Sequence, residues 1–248
     1  MKLPTLIWLE VSKQKKGWIW FFLLGIPAGT TLAMFLDFSI RYDYLLDTAE
    51  KGLNSWDILL IENHRILGWG IFLPMFISII YALLYQVEES QNSWKQILSL
   101  PVRHESVFIS KFLTGLLFST ILITFNMLGL LIVGKVIGFP ETIEWSNYIA
   151  YVGKQVLMTV AVASIHNWLS SFYKNMIVPI VIGFAGVILS SYLIFQFPDG
   201  VQYFPYTFSF LIDDFADQGN AGLIRNSLLL MVISLALGMW QFKRKDIL

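Results

Sequence analysis

The sequence predicts an all-α integral membrane protein with six transmembrane helices, and two observations support this fold class. Hydrophobic residues make up 56% of the 248 residues and charged residues 14%, whereas soluble domains have about 45–50% and about 25%. In addition, six apolar runs have the length that a helix needs to cross a bilayer core. These predicted spans are residues 18–36, 66–87, 107–134, 148–169, 176–197 and 222–242. We interpret residues 1–248 as one transmembrane domain.

The first apolar run could be read either as a span or as a signal peptide, because it follows the basic residues Lys13, Lys15 and Lys16. It is longer than the apolar core of a signal peptide, and five more apolar runs follow it. We therefore predict a retained first span. The chain has no cysteine, which excludes disulfides, thiolate catalysis and cysteine-based metal sites.

The distribution of charge predicts how the spans are oriented. With both termini in the cytoplasm, the cytoplasmic segments 1–17, 88–111, 170–175 and 243–248 hold eleven basic and five acidic residues. The outer segments hold five basic and twelve acidic residues. Because short cytoplasmic segments are enriched in Lys and Arg, we predict that both termini are cytoplasmic.

Two outer connections are long: residues 37–65 and residues 198–221. The second contains the aromatic stretch "YFPYTFSFLI", which needs a place to be buried. We predict that it is partly re-entrant or lies at the membrane interface, and an ordinary interfacial aromatic belt is the alternative. We take Tyr203, Phe204, Pro205 and Tyr206 as candidate residues of a substrate pathway.

The cytoplasmic connection 88–111 contains the sequence "SWKQILSLPVR" at 93–103. If residues 92–100 are helical, Trp94, Ile97 and Leu98 share one apolar face, and Lys95 lies away from it. Pro101 ends such a helix. The segment is then either a short amphipathic helix that docks onto a partner protein or a loop with an interfacial Trp.

This connection resembles that of ABC type-2 transporter permeases, in which a glutamate, a "W-K-x-L-L-x-L-P-V-x-R" run and a lysine near the next span recur. The N-terminal "LPTLIWLEVSKQKKGW" resembles the family's amphipathic elbow helix, with Leu3, Ile7 and Val11 on one stripe. The C-terminal "QFKRKDIL" is similar to the family's ending. Arg103 stands one residue earlier than the family's basic position. The pattern matches this chain at Glu88 or Glu89, Trp94, Lys95, Leu98, Leu100, Pro101, Val102 and Lys111. The candidate ATPase-coupling residues are Glu88, Glu89, Trp94, Lys95, Ile97, Leu98, Pro101, Arg103 and Lys111.

The resemblance implies a permease without an ATPase of its own. The expected partners are a cytoplasmic ABC ATPase dimer, a second identical or related permease, and membrane lipid, with no nucleic acid. No cofactor is expected on this chain, since ATP and Mg belong to the partner ATPase. Among such permeases, the chain looks most like those of lantibiotic-immunity and bacitracin-resistance exporters in bacterial cell membranes. The implied function is the ATP-driven export of an amphipathic antimicrobial peptide.

Two other classes of protein are alternatives. One is an ATP-independent immunity or sensor protein that binds peptide at its acidic outer face. The other is a glutamate-based intramembrane protease, suggested by Glu88-Glu89, but Ser93 stands where that family has an arginine. A third pattern, Gly129 to Lys135, imitates a phosphate-binding loop; it lies within a predicted span and lacks the following Ser or Thr. We therefore predict no catalytic residues and no metal site.

Three polar residues, Asn126, Lys154 and His166, lie at membrane depth and are further candidates for the substrate pathway. For each of them a structural role is the favoured reading. Lys154 is close enough to the end of its span to extend towards the outer surface, and His166 is close enough to the inner end to reach the headgroups.

Overall fold

The structure is a computed structural model that describes residues 2–50, 52–90, 93–94, 102–212 and 220–244. The regular structure of these residues is helical, which confirms the predicted all-α class. Apart from Ser93 and Trp94, the predicted helix over 92–100 lies outside the described residues, and so do Lys95, Ile97, Leu98 and Pro101. The described α-helices, numbered in chain order, are α1 Leu3–Lys13, α2 Trp18–Thr48, α3 Ser55–Ile61, α4 Trp69–Ser90, α5 His104–Ile137, α6 Trp145–Phe172, α7 Ile177–Gln196 and α8 Asn220–Phe242.

Six of the described helices, α2 and α4 to α8, are long and apolar enough to cross a membrane. Each coincides with one of the six predicted spans, which confirms the number and order of the spans. The largest difference is in α2, which continues to Thr48 although the apolar run ends at residue 36. Hydropathy detects only the apolar part of this helix. Its polar extension is stabilised by an Arg41–Asp37 ion pair one turn apart, with Nε 2.7 Å from Oδ1.

The six long helices alternate in direction, so the bundle has two ends. One end holds α1, the end of α4, the beginning of α5 and the end of α8; we call it the α1 end. The opposite end holds α3 and residues 197–212, which follow α7, and we call it the α3 end. The first and the last described residues therefore lie at the same end of the bundle.

The connection between α2 and α4 is folded into the α3 end. An Asn54–Asp57 capping box begins α3: the Asp57 N–H donates to Asn54 Oδ1 at 2.9 Å, and the Asn54 N–H donates to Asp57 Oδ2 at 3.2 Å. A π-helical turn, Glu62–Ile66, follows directly. Such turns re-aim side chains and are frequent at functional sites. Here the turn directs Asn63 and His64 into the protein interior.

The helices surround an apolar core with aromatic residues at both ends. Near the α3 end, Trp56 lies 5.0 Å from Phe139 and 6.2 Å from Tyr148, measured between ring centroids in edge-to-face geometry. The Trp56 N–H also donates to the Glu141 carbonyl at 2.9 Å. These contacts pack α3 against the connection between α5 and α6.

Candidate functional site

A network of four charged residues, three of them buried, joins three helices at the α1 end. Lys111 of α5 is fully buried, and its Nζ lies 2.6 Å from Oε2 of Glu10 in α1 and 2.8 Å from Oε2 of Glu88 in α4. Lys13 of α1 is part of the same network, with its Nζ 2.9 Å from Glu88 Oε1 and 2.5 Å from Glu10 Oε1. Lys111 Nζ also donates to the Leu84 carbonyl at 3.2 Å. Two cations and two carboxylates thus compensate one another, and all of them except the partly exposed Lys13 are shielded from water.

Aromatic rings complete the environment of the Lys111 ammonium group. It lies 4.9 Å from the ring centroid of Tyr85 and 5.7 Å from that of Trp94, both within range of a cation–π interaction. Glu89 accepts a hydrogen bond of 2.8 Å from Trp94 Nε1. Trp94 is therefore attached to the end of α4 on one side and lies over the buried cation on the other.

The network determines which face of α1 is buried. The predicted stripe of Leu3, Ile7 and Val11 is not the innermost face, because Leu3 is exposed, whereas Leu6 and Glu10 are buried. Burial alone raises the pKa of Glu10, but the opposite charges of Lys111 and Lys13 outweigh it, so that the pKa lies below its ordinary value. Ion pairs with the two lysines stabilise the Glu10 carboxylate on the buried face of α1. The periodicity of apolar residues does not predict a buried charged residue on this face.

The far side of the same connection is exposed. Arg103 precedes α5, and its side chain is 83% exposed and only 3.7 Å from Glu105 Oε1. Glu105 also pairs with Lys243 at the end of α8, with Nζ 2.6 Å from Oε1. Arg103 is thus free to contact another protein, whereas Glu88 and Lys111 are fully enclosed within this chain. If Glu88 and Lys111 contribute to coupling, they do so by holding α1, α4 and α5 together and not by touching a partner.

A second polar cluster is centred on His64 at the α3 end. Its Nε2 lies 3.1 Å from the carbonyl oxygen of Phe210, which only accepts hydrogen bonds, so Nε2 carries the proton. Its Nδ1 then accepts, from Tyr151 Oη at 3.0 Å and from Gln155 Nε2 at 3.2 Å. Burial lowers the pKa of His64 to about 4, and this neutral imidazole joins α6 to the residues that follow α7.

The aromatic segment between α7 and α8 enters the bundle. Tyr206 is buried, and its hydroxyl lies 2.9 Å from Nε2 of His166. Its ring is packed on Gly186, where a Cβ would lie only 2.5 Å from two ring carbons. Ser209 donates to the Gly70 carbonyl at 2.8 Å. The segment is thus inserted between α4, α6 and α7 rather than resting on the outside of the bundle.

The predicted pathway residues of this segment are not equivalent. Tyr203 is 66% exposed, Phe204 and Pro205 are half-buried, and Tyr206 is buried. His166 is also fully buried and bonded to Tyr206, so the expectation that it reaches the headgroups is wrong. The aromatic segment between α7 and α8 meets it inside the protein. The position of His166 within its span gives no sign of a partner that lies 40 residues away in the chain.

Asn126 and Lys154 have different surroundings. Asn126 accepts from Nδ2 of Asn63 at 3.1 Å and donates to Oγ1 of Thr30 at 2.8 Å, so it joins α5 to the π-helical turn and to α2. Lys154 is half-buried on α6. These hydrogen bonds satisfy the Asn126 side-chain amide at membrane depth, which is a structural role.

Comparison with known protein families assigns this chain to one of them. Residues 6–190, well over half of the chain, match the family described as ABC-2 family transporter protein. The chain belongs to this family. No curated protein matches it.

As an ABC-2 family transporter protein, the chain is a multi-pass membrane protein and the permease subunit of an ABC transporter. The family supplies the transport subunit, which is not itself catalytic, and membership implies association with an ABC ATPase. The coupling pattern recognised at 88–111 falls within the matched residues.

Sequence reasoning missed several polar residues of this ABC-2 permease. Glu10 lies in the predicted cytoplasmic segment 1–17 and His64 in the predicted outer connection 37–65, but both are buried. Asn63, Tyr151 and Gln155 are also buried, and no motif in the sequence marks them. The available signal was an acidic residue within α1 and a histidine next to the second span, but their buried partners Lys111 and Gln155 lie 101 and 91 residues away in the chain.

Proposed function

We propose that this permease exports an amphipathic antimicrobial peptide and that ATP hydrolysis acts on it through the 88–111 connection. One observation carries the proposal: the connection begins and ends in the buried network of Glu10, Lys13, Glu88 and Lys111. A force applied to residues 93–103 is therefore applied to α1, α4 and α5 together.

The rigidity of this junction supports a mechanical role. Separating the lysines from the carboxylates would leave buried charges uncompensated, which costs several kcal/mol. Small relative movements of α1, α4 and α5 are therefore disfavoured, and the three helices move as one unit. The exposed Arg103 and the "KQILSLPV" stretch that follows the buried Trp94 are then the segment that the partner contacts.

The assembly that we propose contains two permeases and a cytoplasmic ATPase dimer, with ATP and Mg bound by the ATPase. The excess of basic residues at the α1 end supports a cytoplasmic location for this end and for both termini. In this orientation the 88–111 connection is on the side of the membrane where ATP is available.

The α3 end supports the choice of cargo. Twelve acidic residues of the chain lie in the predicted outer segments, and such a surface attracts cationic peptides by electrostatic steering. Beside it, the exposed Tyr203 and the half-buried Phe204 and Pro205 offer an aromatic surface to the apolar side of an amphipathic peptide. Self-immunity or antibiotic resistance is the biological role that follows.

The coupling assignment predicts that Pro101→Ala and Arg103→Glu each abolish peptide export while the permease remains inserted in the membrane. Pro101 ends the proposed coupling helix, and Arg103 is exposed beside it. The measurement is a mild-detergent pull-down of the tagged permease, followed by identification of captured ATPase, ATP hydrolysis and peptide export. We expect both variants to lose the ATPase that wild type captures.

Lys174→Glu is the matched control, because Lys174 is an exposed basic residue at the same end of the bundle. Capture and export by this variant should equal those of wild type. Wild-type export by both Pro101→Ala and Arg103→Glu would refute the coupling assignment. Peptide protection by a wild-type permease that captures no ATPase would favour the ATP-independent immunity protein.

A further inference from the structure

The C-terminal end of α8 is packed against the connection that we assign to the ATPase. Phe242 is buried, and its ring centroid lies 5.9 Å from that of Trp94 and 5.6 Å from that of Phe108. Aromatic pairs at such distances attract one another beyond the effect of burial alone. The next residue, Lys243, pairs with Glu105 at 2.6 Å. The end of α8 thus contacts residues on both sides of 95–101.

The other end of α8 contacts the aromatic segment. Asn226 Nδ2 donates a hydrogen bond of 2.9 Å to the carbonyl of Gln202. Gln202 belongs to the short helical turn Val201–Tyr203, which presents the exposed Tyr203. From Asn226 to Phe242 the helix has no proline, and at about 1.5 Å per residue it spans about 24 Å. One helix therefore joins the two regions to which we assign coupling and cargo.

Between these contacts α8 lies at the edge of the bundle and packs chiefly along α6. Its buried side there carries the small residues Ser227, Ser234 and Gly238, and Ser227 donates to the Leu157 carbonyl at 2.9 Å. The opposite side is apolar and exposed. A helix that is packed on one side only, through small side chains, can be displaced as a unit along its neighbour.

We propose that α8 transmits movement of Trp94 and of the beginning of α5 to the Val201–Tyr203 turn, with Phe242 and Asn226 as the positioning residues at its two ends. This inference rests on the proposed function, since it takes the 88–111 connection as the contact with the ATPase. Phe242 holds the end of α8 to the moving connection, and Asn226 holds the turn to α8. Removal of either contact disconnects the two regions without removing the ATPase.

The absence of cysteine from the chain provides a reporter, since Tyr203→Cys introduces a single thiol at an exposed position. The reporter permease is purified with its ATPase in lipid nanodiscs, and the rate of labelling by a soluble maleimide is measured with and without ATP and vanadate. We expect ATP and vanadate to change the rate about fivefold or more, the lower end of the range for coupled sites. With Phe242→Ala or Asn226→Leu added, the change should fall below about twofold, while the ATPase is still captured.

Trp240→Ala is the matched control for Phe242→Ala, because Trp240 is also a large aromatic residue, two positions away, but is 56% exposed. This variant should keep the full response. Phe242→Met, which nearly conserves the buried volume, should restore most of it. If the Phe242→Ala permease does not assemble with the ATPase, the Asn226→Leu variant alone tests the inference. Asn226→Leu is expected to assemble, because it replaces only a half-buried amide.

Three outcomes would overturn the inference: no response to ATP in the reporter permease, an unchanged response in Asn226→Leu, or an equal loss of response in Trp240→Ala. Failure of the reporter permease and of wild type to capture any ATPase is a different result, because it overturns the proposed function on which the inference rests.

Discussion

Lys111→Met is expected to destabilise the protein by about 3–5 kcal/mol, the usual effect of removing one partner from a buried ion pair. Lys111 is fully buried between Glu10 and Glu88, at 2.6 Å and 2.8 Å. Methionine has a similar length without the charge, so that packing is largely kept while two carboxylates lose their main cation. We expect a strongly lowered melting temperature in detergent and a loss of monodisperse protein in size-exclusion chromatography.

The carboxylates provide the test of this explanation. Adding Glu10→Gln and Glu88→Gln to Lys111→Met should recover a large part of the lost melting temperature, because no buried charge then lacks a partner. Lys13→Met should cost much less, about 1 kcal/mol or below, because Lys13 is partly exposed and water screens its charge. A triple variant no more stable than Lys111→Met would show that the network is not the cause.

The second large effect is a loss of stability on acidification, caused by His64. Its pKa is about 4 in the folded protein and about 6.5 when unfolded. Above pH 6.5 both states are neutral and the full stability is present. Between pH 6.5 and pH 4 only the unfolded state takes up the proton, so the free energy of unfolding falls by about 3 kcal/mol. Melting temperatures measured across this pH range test the prediction.

His64→Gln should remove most of this pH dependence, since glutamine does not titrate but can still donate to the Phe210 carbonyl. The variant is expected to be less stable than wild type at pH 7.5, because Tyr151 and Gln155 lose their common acceptor. His104→Gln is the control for the loss of a histidine, since His104 is half-buried at the beginning of α5, at the opposite end of the bundle from His64. Equal pH dependence in wild type and His64→Gln would contradict this assignment.

Agreement between sequence and structure is best where a residue's environment depends on its immediate neighbours. The six spans were predicted because about 20 consecutive apolar residues need no distant partner to favour a membrane helix. Errors appear where polar residues extend a helix, as in α2 after residue 36, where the Arg41–Asp37 pair maintains it. They also appear in α1, where an apolar stripe was expected and the buried face contains Glu10.

Among the candidate site residues, too, the sequence indicated those in a local motif and not their partners from distant helices. The resemblance singled out Glu88 and Lys111, 23 positions apart in the chain, and the structure shows why they belong together: they form one ion pair of 2.8 Å. It did not single out Glu10, which completes the pair from a different helix. His166 and Tyr206 are both predicted pathway residues, but nothing in their positions indicates the hydrogen bond between them, with Nε2 of His166 2.9 Å from the Tyr206 hydroxyl.

The sequence by itself determined the class of this protein and the number and order of its spans, because hydropathy is a property of neighbouring residues. Short local motifs also indicated the permease family. Only the tertiary structure decided which polar residues are buried and which residues they pair with. A buried charge or imidazole is stable only if helices distant in the chain bring its partners within about 3 Å, and that juxtaposition is a property of the packed bundle.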